Sequence, residues 1–309
     1  MEKPIVCENE ALIKVKMAGI CGTDHGIAKG YIPNYKGVLG HEFIGDVTDC
    51  CIPMWVGRRV TAEINIGCGH CEFCKAGLQK HCVERNVLGI RNKNGVFSEY
   101  VTVPIENIVE IPEEISDREA IFIEPLAAAL EVLKSVSIAT NDKVLIVGDG
   151  QLALIIAKVL IRAVGCKLTI VGKHSEKLAL LKKTNEVSTI NTLLLDDFSN
   201  SFDKFNVVIE ATGNPQGLAL ALKHVYPRGT IILKSTYGQS VYFEPSFVVV
   251  NEIRIVGSRC GSFSSAIDFL KKYKTDFTYL ISAEFALCDA IKAFEYSLRP
   301  DVIKVLLVF

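Results

Sequence analysis

The segment from Lys143 to Val171 constrains the fold more than any other part of the sequence. It begins with Lys143–Val147, a mostly β-branched and aliphatic run that is typical of a strand buried on both faces. The turn that follows, Gly148-Asp149-Gly150-Gln151-Leu152-Ala153, has the form G-x-G-x-x-A and leads into a predicted helix, Leu154–Val164. A second strand is predicted at Lys167–Val171. The glycine motif alone would also fit an ordinary loop, but with these flanking elements it predicts a doubly wound parallel sheet.

The glycine turn is a candidate dinucleotide site because a helix N-terminus can bind a pyrophosphate. The candidate cofactor contacts in this turn are Gly148, Gly150, Gln151 and Leu152.

The residues after the second predicted strand bear on which dinucleotide is bound. A site for NAD usually has Asp or Glu there, because a carboxylate accepts hydrogen bonds from the ribose hydroxyls. The sequence has Gly172-Lys173-His174-Ser175 instead, in which Lys173 offers charge and His174 a hydrogen bond to a 2′-phosphate. We therefore expect a preference for NADP. The alternative is that Lys173 and His174 form a solvated helix entrance and that other residues bind NAD.

The length and composition fit a two-domain globular protein and exclude several other classes. The chain has 309 residues and a net charge of −1, so it is long for one domain and offers no broad basic surface for nucleic acid. It has no run of about 18 uncharged apolar residues, and its N-terminal segment lacks the apolar region of a secretory signal. We therefore expect a cytoplasmic protein with no nucleic-acid or membrane partner. Its eleven cysteines are then reduced thiols or metal thiolates.

Four of these cysteines lie in the stretch Gly67–Cys82. Cys68, Cys71, Cys74 and Cys82 have the spacing C-x2-C-x2-C-x7-C, which lets one loop bring four sulfurs to a tetrahedral zinc ion. Four protein ligands leave no open coordination position, so such a site is structural. The alternative is four unrelated buried thiols. A nucleic-acid-binding zinc ribbon would need two separated C-x2-C pairs in a basic context, and the sequence has neither feature.

A second set of metal-ligand residue types lies upstream. Cys21 in Gly-Ile-Cys-Gly-Thr-Asp is followed twenty residues later by His41 in Gly-His-Glu-Phe-Ile-Gly. A catalytic zinc ion has three protein ligands and one open position, so a carboxylate is also required. The residues themselves leave Glu42 and Glu124 as alternatives.

Several motifs together resemble the zinc-containing medium-chain dehydrogenase/reductase superfamily of alcohol, sorbitol, glucose and threonine dehydrogenases. They occur in the order and near the spacing of that family, over nearly the whole chain: AGICGTD, LGHEFIGDV, the four-cysteine loop, GVFSEYVTVP, IEPLAAAL, VGDGQLA and EATGNP. The resemblance implies that Cys21 and His41 are catalytic zinc ligands. Glu124 corresponds to the carboxylate of sorbitol- and glucose-type members, so the polyol-type branch is nearer.

The resemblance also implies roles for residues around this zinc ion. Glu42 would be an exchanging fourth ligand. Asp24 would accept the other imidazole N–H of His41 and fix its tautomer. Thr23 would be the first group to receive the proton of the alcohol.

The same resemblance implies the fold and the domain organisation. A β-rich, GroES-like catalytic domain would comprise residues 1–115 and 258–309, and a Rossmann dinucleotide-binding domain would comprise residues 116–257. The pattern of a strand followed by a turn recurs at Asn206–Gly213 and Thr230–Lys234, as in a doubly wound sheet, with a predicted helix at Gln216–Val225 between them. The resemblance implies that Thr212, Gly213, Ser235 and Thr236 lie along the cofactor cleft, in addition to the candidates Lys173 and His174. Arg259 is a candidate for a cofactor or substrate contact, with a plain surface arginine as the alternative. Members of the family are usually homo-oligomers, so a dimer or tetramer is expected.

The expected activity is a zinc-dependent alcohol or polyol dehydrogenase with two zinc ions per chain. It would transfer a hydride between a small-molecule alcohol, or the corresponding aldehyde or ketone, and NADP(H) or NAD(H). One alternative is a zinc-free quinone or enone reductase of the same superfamily, although the ligand residue types argue against it. The other is a catalytically silent nucleotide-binding relative.

Overall fold

A computed structural model describes residues 2–182, 190–236 and 240–309. The chain divides into two compact units: a first unit of Met1–Glu124 with Ser262–Phe309, and a second unit of Pro125–Gly261. Among the described residues, no helix combines the length and the apolar character that crossing a membrane requires.

The regular elements are numbered along the chain. The strands are β1 (Glu10–Ile20), β2 (Glu42–Cys50), β3 (Arg59–Ala62), β4 (Asn65–Ile66), β5 (Asn86–Leu88), β6 (Asn92–Lys93), β7 (Tyr100–Pro104), β8 (Ile108–Glu110), β9 (Lys143–Val147), β10 (Lys167–Gly172), β11 (Ile190–Leu194), β12 (Phe205–Glu210), β13 (Val225–Leu233), β14 (Arg254–Gly257), β15 (Ile281–Ala286) and β16 (Lys304–Val308). The helices are α1 (Gly22–Ala28), α2 (Glu72–Lys75), α3 (Asp117–Ala120), α4 (Ile123–Ser135), α5 (Gln151–Ala163), α6 (Ser175–Lys182), α7 (Leu195–Phe198), α8 (Pro215–His224), α9 (Pro245–Val250), α10 (Phe263–Tyr273) and α11 (Ala290–Tyr296). Single turns of 3-10 helix occur at Pro53–Trp55, Gln79–His81, Ile105–Asn107, Thr278–Leu280 and Leu287–Asp289.

The first unit is built around the long strand β1. Its main sheet has the order β15-β16-β1-β2-β3-β8, and β7 also pairs with β1. The first half of β1 pairs with β7, and its second half pairs with β16, from the other end of the chain. A small sheet of β4, β5 and β6 completes the unit. β1 has few exposed positions because it is paired over its whole length, and Ile13 and Ala18 are fully buried.

The pairing of β1 with β2 places the end of one strand beside the start of the other. The two strands are antiparallel, and Gly19 is opposite Glu42. On the other side of β1, Ile20 is opposite Val305. The residues just after β1, just before β2 and at the start of β16 therefore meet at one place.

The second unit contains a parallel six-stranded sheet in the order β11-β10-β9-β12-β13-β14. In the central strand β9, Val144, Leu145 and Ile146 are fully buried, as expected for a strand that carries helices on both faces. The predicted strand Lys143–Val147 is confirmed, and the predicted helix begins three residues earlier, at Gln151, directly after the glycine turn. The fold class predicted from the sequence is confirmed: a doubly wound parallel sheet with a second, β-rich unit.

Candidate functional site

Cys21, His41 and Glu42 form one cluster in the first unit. One ligand atom from each lies within 4.8 Å of the others, and His41 and Glu42 are almost completely buried. Cys21 directly follows β1 and His41 directly precedes β2, so the antiparallel pairing of these strands brings together residues that are twenty positions apart. Thiolate, imidazole and carboxylate are ligands that zinc binds. A buried oxygen of Glu42, Oε1, has no hydrogen-bond partner among the described residues, and a cation would satisfy it.

Asp24 organises the protein side of this cluster. Its fully buried carboxylate accepts hydrogen bonds from the backbone N–H of Cys21 (2.8 Å) and of Gly40 (3.2 Å), the two residues that precede α1 and His41. Asp24 Oδ1 also lies 3.4 Å from His41 Nδ1, close enough for a charge interaction but without the geometry of a hydrogen bond. Asp24 therefore holds both ligand-bearing segments and faces the imidazole.

The electrostatics of the cluster favour a bound cation. Burial alone would lower the pKa of His41, but the charge of Asp24 and the neighbouring Cys21 raise it well above its usual value. Burial would raise the pKa of Asp24, but the charge of the nearby His41 and the two backbone donors lower it. Burial, followed by the charge of Glu42, raises the pKa of the Cys21 thiol. The shifts of His41 and Cys21 thus reflect in part the negative charge of the nearby carboxylates Asp24 and Glu42, which would attract a cation.

Glu42 is also paired with a buried lysine that the sequence analysis missed. Lys304 Nζ donates to Glu42 Oε2, and both side chains are fully excluded from solvent. The lysine reaches the carboxylate across Gly19, where a Cβ atom would lie 2.6 Å from Lys304 Nζ and 2.8 Å from Glu42 Oε2. The only signal in the sequence was a single charged residue at the start of the apolar run Val305–Val308.

The other predicted residues of this site lie at different distances from the cluster. Thr23 Oγ1 is 3.9 Å from Cys21 Sγ, in the first turn of α1. Glu124 is partly buried in the first turn of α4 and does not belong to the three-residue group. Its role as a zinc ligand remains a prediction.

The four cysteines of the loop also come together. The sulfurs of Cys68, Cys71, Cys74 and Cys82 all lie within 4.8 Å of one another, as a tetrahedral zinc site requires. Hydrogen bonds from the backbone N–H of His70 and Cys71 lower the pKa of Cys68 to about 6. Burial raises the pKa of Cys74 to about 12. A Cβ atom at Gly67 would lie 2.6 Å from Cys74 Sγ, so the backbone passes very close to the sulfur cluster.

In the second unit, the glycine turn connects β9 to α5. Gly148 has a φ of 126°, and a Cβ atom there would lie 2.6 Å from the carbonyl oxygen of Ala211, so only glycine fits. Gly150 is the N-cap of α5, and Gln151 and Leu152 form its first turn, with amides at the helix N-terminus. This arrangement suits the binding of a pyrophosphate.

A carboxylate that the sequence analysis did not consider lies at the end of β10. Asp149, the middle residue of the G-x-G turn, accepts hydrogen bonds at Oδ2 from the backbone N–H of Lys173 (2.6 Å) and His174 (2.7 Å). The same oxygen is 3.0 Å from His174 Nδ1. A carboxylate therefore lies beside residues 172–175, although none of those four residues is acidic.

The remaining predicted cofactor residues follow β12 and β13. The backbone N–H of Gly213 donates to Ser235 Oγ (2.8 Å), so these two residues are adjacent. Thr212 donates from its N–H (2.8 Å) and its hydroxyl (2.5 Å) to Glu210, which is fully buried at the end of β12. Arg259 is exposed, and its carbonyl oxygen lies 3.4 Å from Lys234 Nζ.

Comparison with known proteins shows which family this chain belongs to. The model of the alcohol dehydrogenase GroES-like domain matches residues 7–113, and the model of the zinc-binding dehydrogenase family matches residues 150–273. The starvation-sensing protein RspB of Escherichia coli K12 is 33% identical over 322 aligned positions, covering 100% of this chain and 94% of its own. The chain belongs to the zinc-binding dehydrogenases. Within the medium-chain dehydrogenase/reductase superfamily, this is the group of alcohol dehydrogenase-like enzymes that the sequence motifs indicated.

Other members of the family extend this comparison. Sorbitol dehydrogenase of Halalkalibacterium halodurans is 28% identical, over 99% of this chain and 93% of its own. The crystal structure of an alcohol dehydrogenase (rspB) from Escherichia coli CFT073, complexed with NADH, superposes with a TM-score of 0.91 at 30% identity, covering 100% of this chain and 94% of the other. A Sinorhizobium meliloti 1021 protein solved with NADP bound has a TM-score of 0.90 at 26% identity, with 100% and 94% coverage. This alcohol dehydrogenase-like oxidoreductase therefore has close structural relatives that were solved with NADH and with NADP bound.

Proposed function

We propose that this zinc-binding dehydrogenase oxidises a polyol or another secondary alcohol with NAD(P)⁺ and catalyses the reverse reduction. The observation that carries the proposal is the buried cluster of Cys21, His41 and Glu42, in which a thiol, an imidazole and a carboxylate converge. A zinc-free reductase would not need such a cluster. Sorbitol dehydrogenase among the relatives, and the carboxylate Glu124 at the position where polyol-type members have one, support a polyol as the substrate.

In this proposal, Cys21, His41 and Glu124 bind the catalytic zinc ion, and Glu42 is an exchanging ligand. Zinc bound there supplies a Lewis acid that lowers the pKa of the substrate alcohol. Asp24 holds the backbone on both sides of the metal site and keeps His41 in the orientation and tautomer that a ligand needs. Thr23 Oγ1 accepts the proton that leaves the alcohol and passes it toward solvent.

Lys304 determines the position of the Glu42 carboxylate beside the proposed metal site. Because its ammonium group is buried against Glu42 Oε2, the carboxylate is drawn toward the lysine while its other oxygen stays without a hydrogen bond from the described residues. Lys304 thus stabilises the position in which Glu42 waits beside the ligands Cys21 and His41.

The second unit binds the dinucleotide in this proposal. The first-turn amides of α5 and the close turn at Gly148 and Gly150 receive the pyrophosphate. Thr212, bonded to Glu210, and the hydrogen-bonded pair Gly213 and Ser235 follow the ends of β12 and β13, the edge where open parallel sheets bind ligands. The bound nicotinamide supplies the hydride acceptor.

The proposal includes a cytoplasmic location and self-association into a dimer or tetramer. None of the eleven cysteines, all of which lie in the described residues, forms a disulfide, as expected in a reducing compartment. Val249 and Val250 on α9 are 74% and 78% exposed, and such exposed aliphatic side chains support a contact with another copy.

The test combines metal content with turnover. We expect about two zinc ions per chain, together with reduction of NAD⁺ or NADP⁺ in the presence of one or more members of a panel of polyols, secondary alcohols and aldoses. Cys21→Ser should lose one zinc ion and the turnover, whereas Cys7→Ser, which changes an exposed cysteine, should keep both. One zinc ion in the unaltered protein and no turnover with any alcohol would contradict the proposal and would leave only the four-cysteine site.

A further inference from the structure

We propose that Asp149 determines how the protein discriminates between NAD(H) and NADP(H), by placing a carboxylate where the 2′ position of the adenosine ribose binds. This inference rests on the proposed dinucleotide-binding function and adds the residue that sets cofactor choice. It also implies a consequence: Asp149 opposes the selection for NADP(H) that Lys173 and His174 would otherwise make, and the protein uses both cofactors.

The first step concerns where the Asp149 carboxylate lies relative to the end of β10. In nucleotide-binding sheets of this type, an acidic residue at the end of the second strand binds the ribose hydroxyls. The second strand here, β10, ends at Gly172, which has no side chain. A Cβ atom at Gly172 would lie 2.5 Å from Asp149 Oδ2, so the Asp149 carboxylate occupies the space that a side chain at position 172 would enter.

The hydrogen bonds show that this carboxylate is held in place. Three donors converge on Oδ2: the backbone N–H of Lys173, the backbone N–H of His174 and the ring nitrogen Nδ1 of His174. The Asp149 side chain is 12% exposed, whereas that of His174 is 33% exposed. Among the described residues, no hydrogen bond ends on the second oxygen, Oδ1, so it is available to accept from a ribose hydroxyl.

The second step concerns the charges that a 2′-phosphate would meet. A ribose diol can donate a hydrogen bond to a carboxylate, but a 2′-phosphate cannot, and it carries charge of the same sign. The carboxylate also accepts from the two backbone N–H groups at 173 and 174, which are the kind of donors that would otherwise bind a phosphate. Lys173 acts in the opposite direction because its ammonium group attracts the phosphate. The balance between Asp149 and Lys173 gives the protein comparable affinity for the two cofactors.

The experiment measures binding without any alcohol, from the fluorescence of NADH and NADPH titrated with the full-length protein. The unaltered protein should bind both, with dissociation constants within about tenfold of each other. Asp149→Asn keeps the size of the side chain and removes its charge, and it should shift the ratio of the two constants toward NADPH by about tenfold or more. Lys173→Ala should shift the ratio in the opposite direction. Asp203→Asn is the matched control and should leave the ratio unchanged. It removes a carboxylate that precedes β12, at the amino ends of the parallel strands, whereas Asp149 follows the carboxyl end of β9.

A relocation variant separates charge from turn structure. Asp149→Gly combined with Gly172→Asp moves the carboxylate from the turn to the end of β10, and the discrimination against NADPH should return relative to Asp149→Gly alone. If Asp149→Asn leaves the ratio unchanged, or weakens both cofactors equally, Asp149 only shapes the turn and the inference is wrong. If the unaltered protein binds neither cofactor, the proposed dinucleotide function itself fails, which is a different result from an unchanged ratio.

Discussion

At the scale of single residues, the pair of Glu42 and Lys304 shows how strongly the cluster of Cys21, His41 and Glu42 depends on a distant part of the chain. Two opposite charges that are fully excluded from water stabilise each other, but each is costly to bury alone. Removing one partner leaves the other without compensation. Substituting either residue therefore measures how much the buried pair contributes to the stability of the first unit.

Lys304→Met should lower the free energy of unfolding of the first unit by about 3–5 kcal/mol, because it leaves the Glu42 carboxylate buried and unpaired. The double variant Lys304→Met/Glu42→Gln should be destabilised by less than the sum of the two single changes, since no charge is then left buried. Urea unfolding of the zinc-free protein measures these differences. Lys292→Met is the control, because that lysine is exposed and solvent screens its ion pair with Asp289. Equal effects of Lys304→Met and Lys292→Met would contradict the importance of the buried pair.

A second residue-scale prediction concerns pH and His224. Burial lowers the pKa of His224, whose Nδ1 is 2.8 Å from the carbonyl oxygen of Asp203 and whose ring lies 4.3 Å from that of Phe198. A histidine whose pKa is lower in the folded state adds stability above its unfolded value of about 6.5, and this stability is lost as the pH falls below that value. We expect the melting temperature of the second unit to fall between about pH 6.5 and pH 5, and the fall to be smaller in His224→Gln.

His70→Gln serves as the comparison for this measurement, since His70 is 75% exposed on its side chain. The melting temperature of the second unit should depend on pH in this variant as it does in the unaltered protein, because His70 belongs to the first unit. A slope that is the same in His224→Gln as in the unaltered protein would exclude His224 as its source.

Sequence motifs predicted the ligand types Cys21 and His41, because their spacing and neighbouring glycines recur in this family, whereas Lys304 and Asp149 were missed. Lys304 reaches Glu42 only through the pairing of β16 with β1, and no local pattern encodes the register of strands so far apart in the sequence. Asp149 was visible as a residue, but the direction of its side chain depends on the turn and on the absence of a side chain at Gly172.

At the scale of secondary-structure elements, local patterns predicted the parallel sheet well. The predicted strand Lys167–Val171 is β10, one residue longer, and the predicted helix Gln216–Val225 is α8, displaced by one residue. Continuous apolar runs and a glycine turn are short-range signals, so their positions can be found without knowing the tertiary structure. The pairing of β1 with three different strands is a long-range property and could not be obtained in this way.

The four-cysteine loop is an element with little regular structure. It contains the four-residue helix α2 and a 3-10 turn, so we expect bound zinc to supply most of its order. Cys82→Ser should therefore bind one zinc ion fewer per chain and unfold at a lower temperature. Metal analysis by mass spectrometry and differential scanning fluorimetry measure the two effects.

Cys166→Ser is the matched control for the loop variant, since Cys166 is also buried but belongs to the second unit. It should keep the full zinc content. An unchanged zinc content in Cys82→Ser would mean that the four sulfurs do not form a metal site.

At the scale of the whole molecule, the chain has two units with different sources of stability. The first unit contains both clusters of metal-ligand residues, and the second contains the parallel sheet with the glycine turn. We expect calorimetry to resolve two transitions. Zinc chelation should lower only one of them, and NADH at about 100 times its dissociation constant should raise the other by the equivalent of about 2.7 kcal/mol. A single transition that responds equally to chelator and to NADH would contradict this division.

The pairing of β1 with β16 also has a consequence for synthesis on the ribosome. β1 is translated early, but its partner β16 and the lysine that compensates Glu42 are made only after the whole second unit has been translated. Domains generally fold as they emerge during translation, so the parallel sheet can fold while β1 still lacks one neighbour. The first unit is therefore completed last, and a nascent chain stalled before residue 304 would expose the edge of β1 to chaperones or to other chains.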